Sequence, residues 1–182
     1  MSGLPDGPHP YVRLARLTVT RLLEGGPLPK SGIEAGGQPE LWSMRRACFV
    51  SIKTLRGDLR GCIGTILPTQ PDLGLEIIAN AVSASTRDPR FPPMTAAELD
   101  GVKISVDVLT LPEPAEISRL DPKIWGVIVT QGWKRGVLLP DLEGVDSVEL
   151  QLSIAARKAG IRDFRDDGVE IERFRVERWQ EA

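Results

Sequence analysis

Apolar and polar positions divide the chain into short stretches, each with its own period. Tyr11 to Glu24 places Tyr11, Leu14, Ala15, Thr18 and Leu22 at helical spacing, leaves Arg13, Arg16 and Arg21 to solvent, and stops at Gly25-Gly26. Gly25 to Glu40 has five glycines and three prolines in sixteen residues and reads as a loop, with Trp42 and Met44 pinning its far end. Ala47 to Thr54 alternates, with Cys48, Val50 and Ile52 on one face. Leu55 to Asp58 has turn chemistry, and Leu59 to Ile66 returns as the second strand of a hairpin. Beyond Pro68 and Pro71, Thr69 or Asp72 caps a helix over Leu73 to Thr86, whose expected buried stripe is Leu75, Ile78, Ala79 and Val82.

That helix must end by Arg87, because Asp88 precedes a proline and is pushed out of the helical region. Asp88-Pro89-Arg90-Phe91-Pro92-Pro93 is therefore a stiff, extended loop. Thr95-Ala96-Ala97-Glu98 has the form of a capping box. Val102 to Leu109 alternates as a half-exposed strand that leaves Lys103, Ser105 and Asp107 to solvent, and Pro112 to Pro122 is connecting loop. Gly126 to Thr130 and Arg135 to Leu139 form a second hairpin about the turn Gln131 to Lys134. Asp146, with Glu149 three residues on, starts a helix faced by Val148, Leu152, Ala155 and Ala159 and stopped by Gly160. In a last strand, Val169 to Trp179, the apolar phase changes between Ile171 and Phe174, which predicts a bulge.

The two hairpins resemble one another. Arg60-Gly61-Cys62-Ile63 leads through Leu67-Pro68 into a helix, and Arg135-Gly136-Val137-Leu138 leads through Leu139-Pro140 into another, 75 residues later. The expected fold is α+β, with an antiparallel, curved or barrel-like sheet from two duplicated hairpin–helix units and a small extra lobe. Residues 1–10 read as a flexible leader and 11–182 as a single domain containing the 25–40 loop.

Composition narrows the function classes. The chain's 23 basic and 25 acidic residues give a formal net charge of -2, which offers no steering toward nucleic acid or anionic lipid. The N-terminus lacks a signal-peptide pattern and the apolar runs are too short to span a membrane, so the expected location is cytoplasmic, with Cys48 and Cys62 as free thiols. His9 is the single histidine and sits in the leader, which argues against a histidine-dependent mechanism. No cofactor or metal motif is present: Gly57, Gly61 and Gly64 do not have phosphate-loop spacing.

The candidate chemistry lies in two segments. Cys62 stands two residues from Arg60, and a guanidinium favours the nucleophilic thiolate. Against this, Val137 fills the matching place in the second hairpin, which reads Cys62 as an apolar filler. Arg60 and Arg135 read as salt-bridged supports of the two glycine corners. Asp88 and Arg90 lie on the proline-locked loop, where Asp88 acts as a general base or pairs with Arg60 or Arg90. Catalytic candidates are Cys62 and Asp88; ligand-binding candidates are Arg60 and Arg90.

Leu59-Arg60-Gly61-Cys62-Ile63-Gly64-Thr65 resembles the signature of the AMMECR domain family. Leu14-Ala15-Arg16, Ala47-Cys48-Phe49-Val50-Ser51, Asp88-Pro89-Arg90-Phe91-Pro92-Pro93, Ser105-Val106, Arg135-Gly136-Val137-Leu138-Leu139-Pro140 and Lys158-Ala159-Gly160 extend the likeness over most of the chain. The resemblance implies an α/β protein with a larger and a smaller lobe, a cleft lined by the signature, and no established activity. It also implies partnership with a Memo-like protein and a radical S-adenosylmethionine protein. Asp141-Leu142 and Ala156 depart from the family pattern, which makes the first segment the better candidate site. Two readings follow: a non-catalytic interaction module working with those partners, or an enzyme or small-molecule binder whose cleft holds Arg60, Cys62, Asp88 and Arg90.

Overall fold

Apolar residues at every third or fourth position turn one face of α1 (Pro10–Leu23) inward, burying Tyr11, Leu14, Ala15, Thr18 and Val19. The computed structural model describes residues 8–182, so residues 1–7 of the expected leader lie outside the described residues. His9 is the N-cap of α1: its Nδ1 accepts the Tyr11 N–H at 3.4 Å, and its ring stacks on Trp179. The glycine-rich 25–40 segment contains a 3-10 turn at Gly32–Ala35, followed by a single helical turn, α2 (Glu40–Ser43).

The chain forms two compact units. One comprises residues up to 108 together with Arg178–Ala182, and the other is Leu109–Glu177. The first unit is built on the antiparallel hairpin of β1 (Cys48–Thr54) and β2 (Leu59–Gly64), extended by β3 (Val102–Leu109) and β8 (Val176–Gln180) in the order β2-β1-β3-β8. Val50, Ile52, Ile104 and Val106 pack with residues of α1 and α3 (Leu73–Thr86) in one core. In the second unit the order is β4-β7-β5-β6, from β4 (Glu113–Pro114), β5 (Gly126–Gln131), β6 (Lys134–Leu138) and β7 (Val169–Phe174). There α4 (Val148–Ala159) covers Val127, Val129 and Leu138 with Leu152, Ala155 and Ala156.

The α+β class and the duplication expected from the sequence are present, but the strands form two four-stranded sheets, neither closed into a barrel, in place of one curved sheet. The two copies share more than their hairpin motif. The N-caps Asp72 and Ser147 stand 75 residues apart, as do Glu76 and Gln151, both fully buried on their helices. A Cβ on Gly61 would lie 2.1 Å from the Ala84 carbonyl oxygen, and one on Gly136 would lie 1.9 Å from that of Ala155. Each corner glycine thus lets a helix backbone press directly on its hairpin.

Four expectations need correction. In α3 the fully buried apolar side chains are Leu73, Ile77 and Ala81, while Leu75, Ala79 and Val82 are only partly covered. Because α3 carries apolar residues on several faces, its period alone does not select the face that packs. Asp107 is buried rather than solvated, since β8 lies beside β3 and Arg178 donates to it at 2.7 and 2.8 Å. The cap of α4 is Ser147, whose hydroxyl accepts the Leu150 N–H, rather than Asp146. The phase change after Ile171 marks a passage from one sheet to another: β7 pairs with β5, and after Arg175 β8 joins the other sheet. Among the described residues, no helix is long and apolar enough to cross a membrane.

Candidate functional site

The signature segment is β2, an outer strand of its sheet. Ser51 stands opposite Cys62 in the register with β1. Backbone groups of Cys62 point away from β1, and its N–H donates to Asp88 Oδ2 at 2.9 Å. An opposed pair of this kind brings side chains close together. Accordingly the Ser51 hydroxyl donates to Cys62 Sγ at 3.1 Å.

The Asp88 loop closes this strand edge. Asp88 is 4% exposed and accepts the Cys62 N–H, the Arg90 N–H and two guanidinium donors of Arg90, at 2.9 and 2.7 Å. Arg90 in turn donates to the Cys62 carbonyl at 3.3 Å. One acidic and one basic side chain therefore occupy the donor and acceptor that a neighbouring strand would otherwise use. The guanidinium of Arg90, aided by the two backbone donors, holds the Asp88 carboxyl well below the usual carboxylate range despite burial, and the ion pair raises Arg90. Proline is what makes this possible. Pro89 ends α3, and the loop turns so that the Phe91 N–H returns to the Asp88 carbonyl at 3.1 Å.

Arg60 sits two residues before Cys62 on the same strand and makes a separate pair. Its Nε and Nη2 donate to Glu98 at 2.6 and 3.2 Å, and Nη2 also reaches the Pro92 carbonyl at 3.1 Å. Glu98 is the acid of the capping box at Thr95, accepting that residue's N–H at 2.8 Å, and its carboxyl is lowered chiefly by Arg60. Phe91 lies between the two systems, its ring centroid 5.9 Å from the Arg60 guanidinium carbon and 5.6 Å from that of Arg90.

The structure thus brings all four predicted residues into one neighbourhood, but as two closed ion pairs beside a thiol. Arg60 pairs with Glu98, not Asp88, and Asp88 pairs with Arg90. In the second copy Arg135 pairs with Glu172 at 2.9 Å, and Lys158 donates to the Val137 carbonyl as Arg90 does to that of Cys62. Cys48, the other thiol, is buried and pushed up to about 12 by desolvation. Among the described residues, no three His, Cys, Asp or Glu side chains are grouped to hold a metal ion.

Sequence reading missed three residues of this neighbourhood. Ser51 appears only as a polar position on β1, and Glu98 only as a cap, although its capping box is the signal that fixes it in space. Glu76 gives no signal, being a carboxylate inside an apolar helix. It is fully buried and accepts from Thr65 Oγ1, Thr69 N and Gln70 N at 2.5, 2.8 and 2.7 Å, tying down the loop that follows β2.

The AMMECR1 family pattern matches residues 12–179. A protein of Thermotoga maritima is 51% identical over 175 residues, covering 96% of this chain and 99% of that protein. A protein of Clostridium acetobutylicum is 47% identical over 173 residues, covering 95% of this chain but only 36% of that longer protein. The crystal structure of an uncharacterized protein from Pyrococcus horikoshii matches with a TM-score of 0.83 and 31% identity, covering 94% of this chain and 90% of that one.

Proposed function

The chain belongs to the AMMECR1 family, and from that premise we propose that it is a non-catalytic interaction module of the cytoplasm, with residues 11–182 acting as one domain. The observation that supports this reading is the closure of the candidate site. Arg60 is engaged by Glu98, and Asp88 by Arg90 and the Cys62 N–H. A general base needs a carboxylate near the operating pH, and Asp88 is shifted the opposite way. The partners are those the family resemblance implies, a Memo-like protein and a radical S-adenosylmethionine protein. Co-purification and calorimetry with each of the two should give saturable binding to at least one. Absence of heat and of co-elution with both overturns the reading.

One observation favours the alternative of an enzyme or small-molecule binder: Cys62 is only partly buried, its Sγ accepts from the Ser51 hydroxyl, and Arg90 lies at its backbone carbonyl. That reading expects Cys62 to react with iodoacetamide at neutral pH many times faster than an ordinary thiol. The interaction-module reading expects an ordinary rate.

A further inference from the structure

The duplication extends past the two helices, and there the copies part. Arg87-Asp88-Pro89-Arg90 is matched 75 residues later by Arg162-Asp163-Phe164-Arg165. At short range the two acidic turns are alike: the Arg90 N–H donates to Asp88 Oδ1 at 3.1 Å, and the Arg165 N–H to Asp163 Oδ1 at 2.9 Å. Their surroundings differ. Asp88 reaches the outer edge of β2 and accepts the Cys62 N–H at 2.9 Å, with Arg90 on the Cys62 carbonyl. Its side chain is 2% exposed, whereas that of Asp163 is 45% exposed. The cause is local. Although α3 and α4 begin at matching positions, α4 stops at Ala159 because Gly160 turns left-handed (φ 70°), where the matching Ser85 is still helical. Asp163 thus leaves its helix from an earlier turn, and the Arg165 guanidinium goes to Glu149 at 2.8 Å.

The edge of β6 is consequently closed in a different way from that of β2. Val137 holds the place of Cys62, opposite Ile128. Gln131↔Lys134 closes a two-residue turn, so by alternation Thr130↔Arg135 and Ile128↔Val137 are the pairs whose backbone groups turn away from one another. The Val137 carbonyl agrees with this, since it accepts from Lys158 Nζ at 3.0 Å. The Val137 N–H faces the same outer edge, and no carboxylate among the described residues accepts from it. Charge at this edge is one-sided. Glu172 is held by Arg135, Glu149 and Asp163 by Arg165, and Asp166 by Arg162. Lys158 has no carboxylate partner among the described residues. Neither has Lys134, whose Nζ donates to the Gly160 carbonyl at 2.8 Å.

We propose that the outer edge of β6 at Val137 is a carboxylate-binding site. One oxygen of the incoming carboxylate accepts the Val137 N–H, and the group pairs with the Lys158 ammonium. The occupant is read from the first copy, where a carboxylate takes the matching strand-edge N–H beside a cation that also holds the carbonyl of the same residue. A neutral amide could accept the N–H but would leave Lys158 uncompensated. The carboxylate comes either from a small acid or from an acidic side chain of another protein. The site lies within the second unit and needs neither of the partners named above.

The test titrates acetate, the end-blocked tripeptide acetyl-Ala-Asp-Ala-amide and its asparagine counterpart into the full chain to millimolar concentration at constant ionic strength. The expected result is a saturable downfield movement of the Val137 amide proton with a carboxylate probe and not with the asparagine peptide. The Cys62 amide, already held by Asp88, stays fixed. In Lys158→Gln the affinity falls about tenfold, the loss of roughly one charge-assisted contact. Tighter binding of the aspartate peptide than of acetate assigns the carboxylate to a protein side chain, and equal binding assigns it to a small acid. Four outcomes overturn the proposal. They are a Val137 amide that neither carboxylate moves, equal movement with the asparagine peptide, and affinity unchanged in Lys158→Gln. The fourth is a Val137 amide that shifts in the ligand-free chain on Asp163→Asn, which would make Asp163 the occupant.

Discussion

At the scale of single residues, charge placement governs what the candidate site can do. Asp88 has its folded-state pKa depressed, so the stabilisation it gives is present above the unfolded carboxylate value of about 4 and is lost as pH falls below it. Asp88→Ala should cost about 1.5–3 kcal/mol by urea unfolding at pH 7. The difference from the unsubstituted chain should shrink at pH 3, and a flat difference across that range contradicts the ion-pair account. His9 behaves in the same sense for the opposite charge type. Burial and the neighbouring Arg13 lower it, so the folded state favours the neutral ring that caps α1. Its contribution is full above the unfolded value of about 6.5 and falls as pH drops through and below that point. Urea midpoints at pH 7.5 and 5.5 should differ more in the natural chain than in His9→Asn, which keeps a capping side chain.

At the scale of elements, the duplicated hairpin and helix owe their fit to one missing Cβ in each copy. The Ala84 and Ala155 carbonyls stand where a methyl would be on Gly61 and Gly136. Backbone, not a flexible side chain, is the obstacle, so the helix must shift. Gly61→Ala and Gly136→Ala should each destabilise by about 1–3 kcal/mol, measured as a drop in the denaturant midpoint. Gly101→Ala, with no atom within 4 Å of a built Cβ, is the control and should be close to neutral. The same comparison explains why the shared arginine and glycine read as architecture. Arg135 and Arg60 both end in carboxylates of their own unit. Helix positions were legible because their caps and breakers are local: α3 covers Leu73–Thr86 as the Asp72 cap and the Asp88-Pro89 breaker imply. Which face of α3 packs was not legible, since Ile77 and Ala81 are no more apolar than Ile78 and Ala79.

At the scale of the whole molecule, one unit is assembled from both ends of the chain. Glu181 accepts from Arg16 Nε at 2.8 Å and from the Ile104 N–H at 2.7 Å, and it also pairs with Arg16 Nη2. Arg178 neutralises the buried Asp107, and Trp179 packs on His9 and Tyr11. Ending the chain after Arg175 should therefore leave Asp107 and Arg16 without these partners and destabilise the first unit by more than about 3 kcal/mol. The readout is loss of amide-exchange protection in β1 and β3. Retention of that protection would show that β8 is dispensable.

The sequence by itself determined the class of the elements, most of their limits, the duplication and the family likeness. Each of these rests on signals within a few residues: period, caps, prolines and corner glycines. It also brought Arg60, Cys62, Asp88 and Arg90 forward as a group. Only the tertiary structure decided how they pair, because the competing partners Glu98 and Arg90 come from a turn and a loop whose directions are set by long-range contacts, such as the buried Met94 whose N–H donates to the Ser85 carbonyl at 2.8 Å. The same holds for Asp107, polar in the strand pattern and buried only because β8 returns beside it. Partition into two sheets was likewise a long-range outcome, since strand order depends on which edges meet and not on the alternation along any one strand.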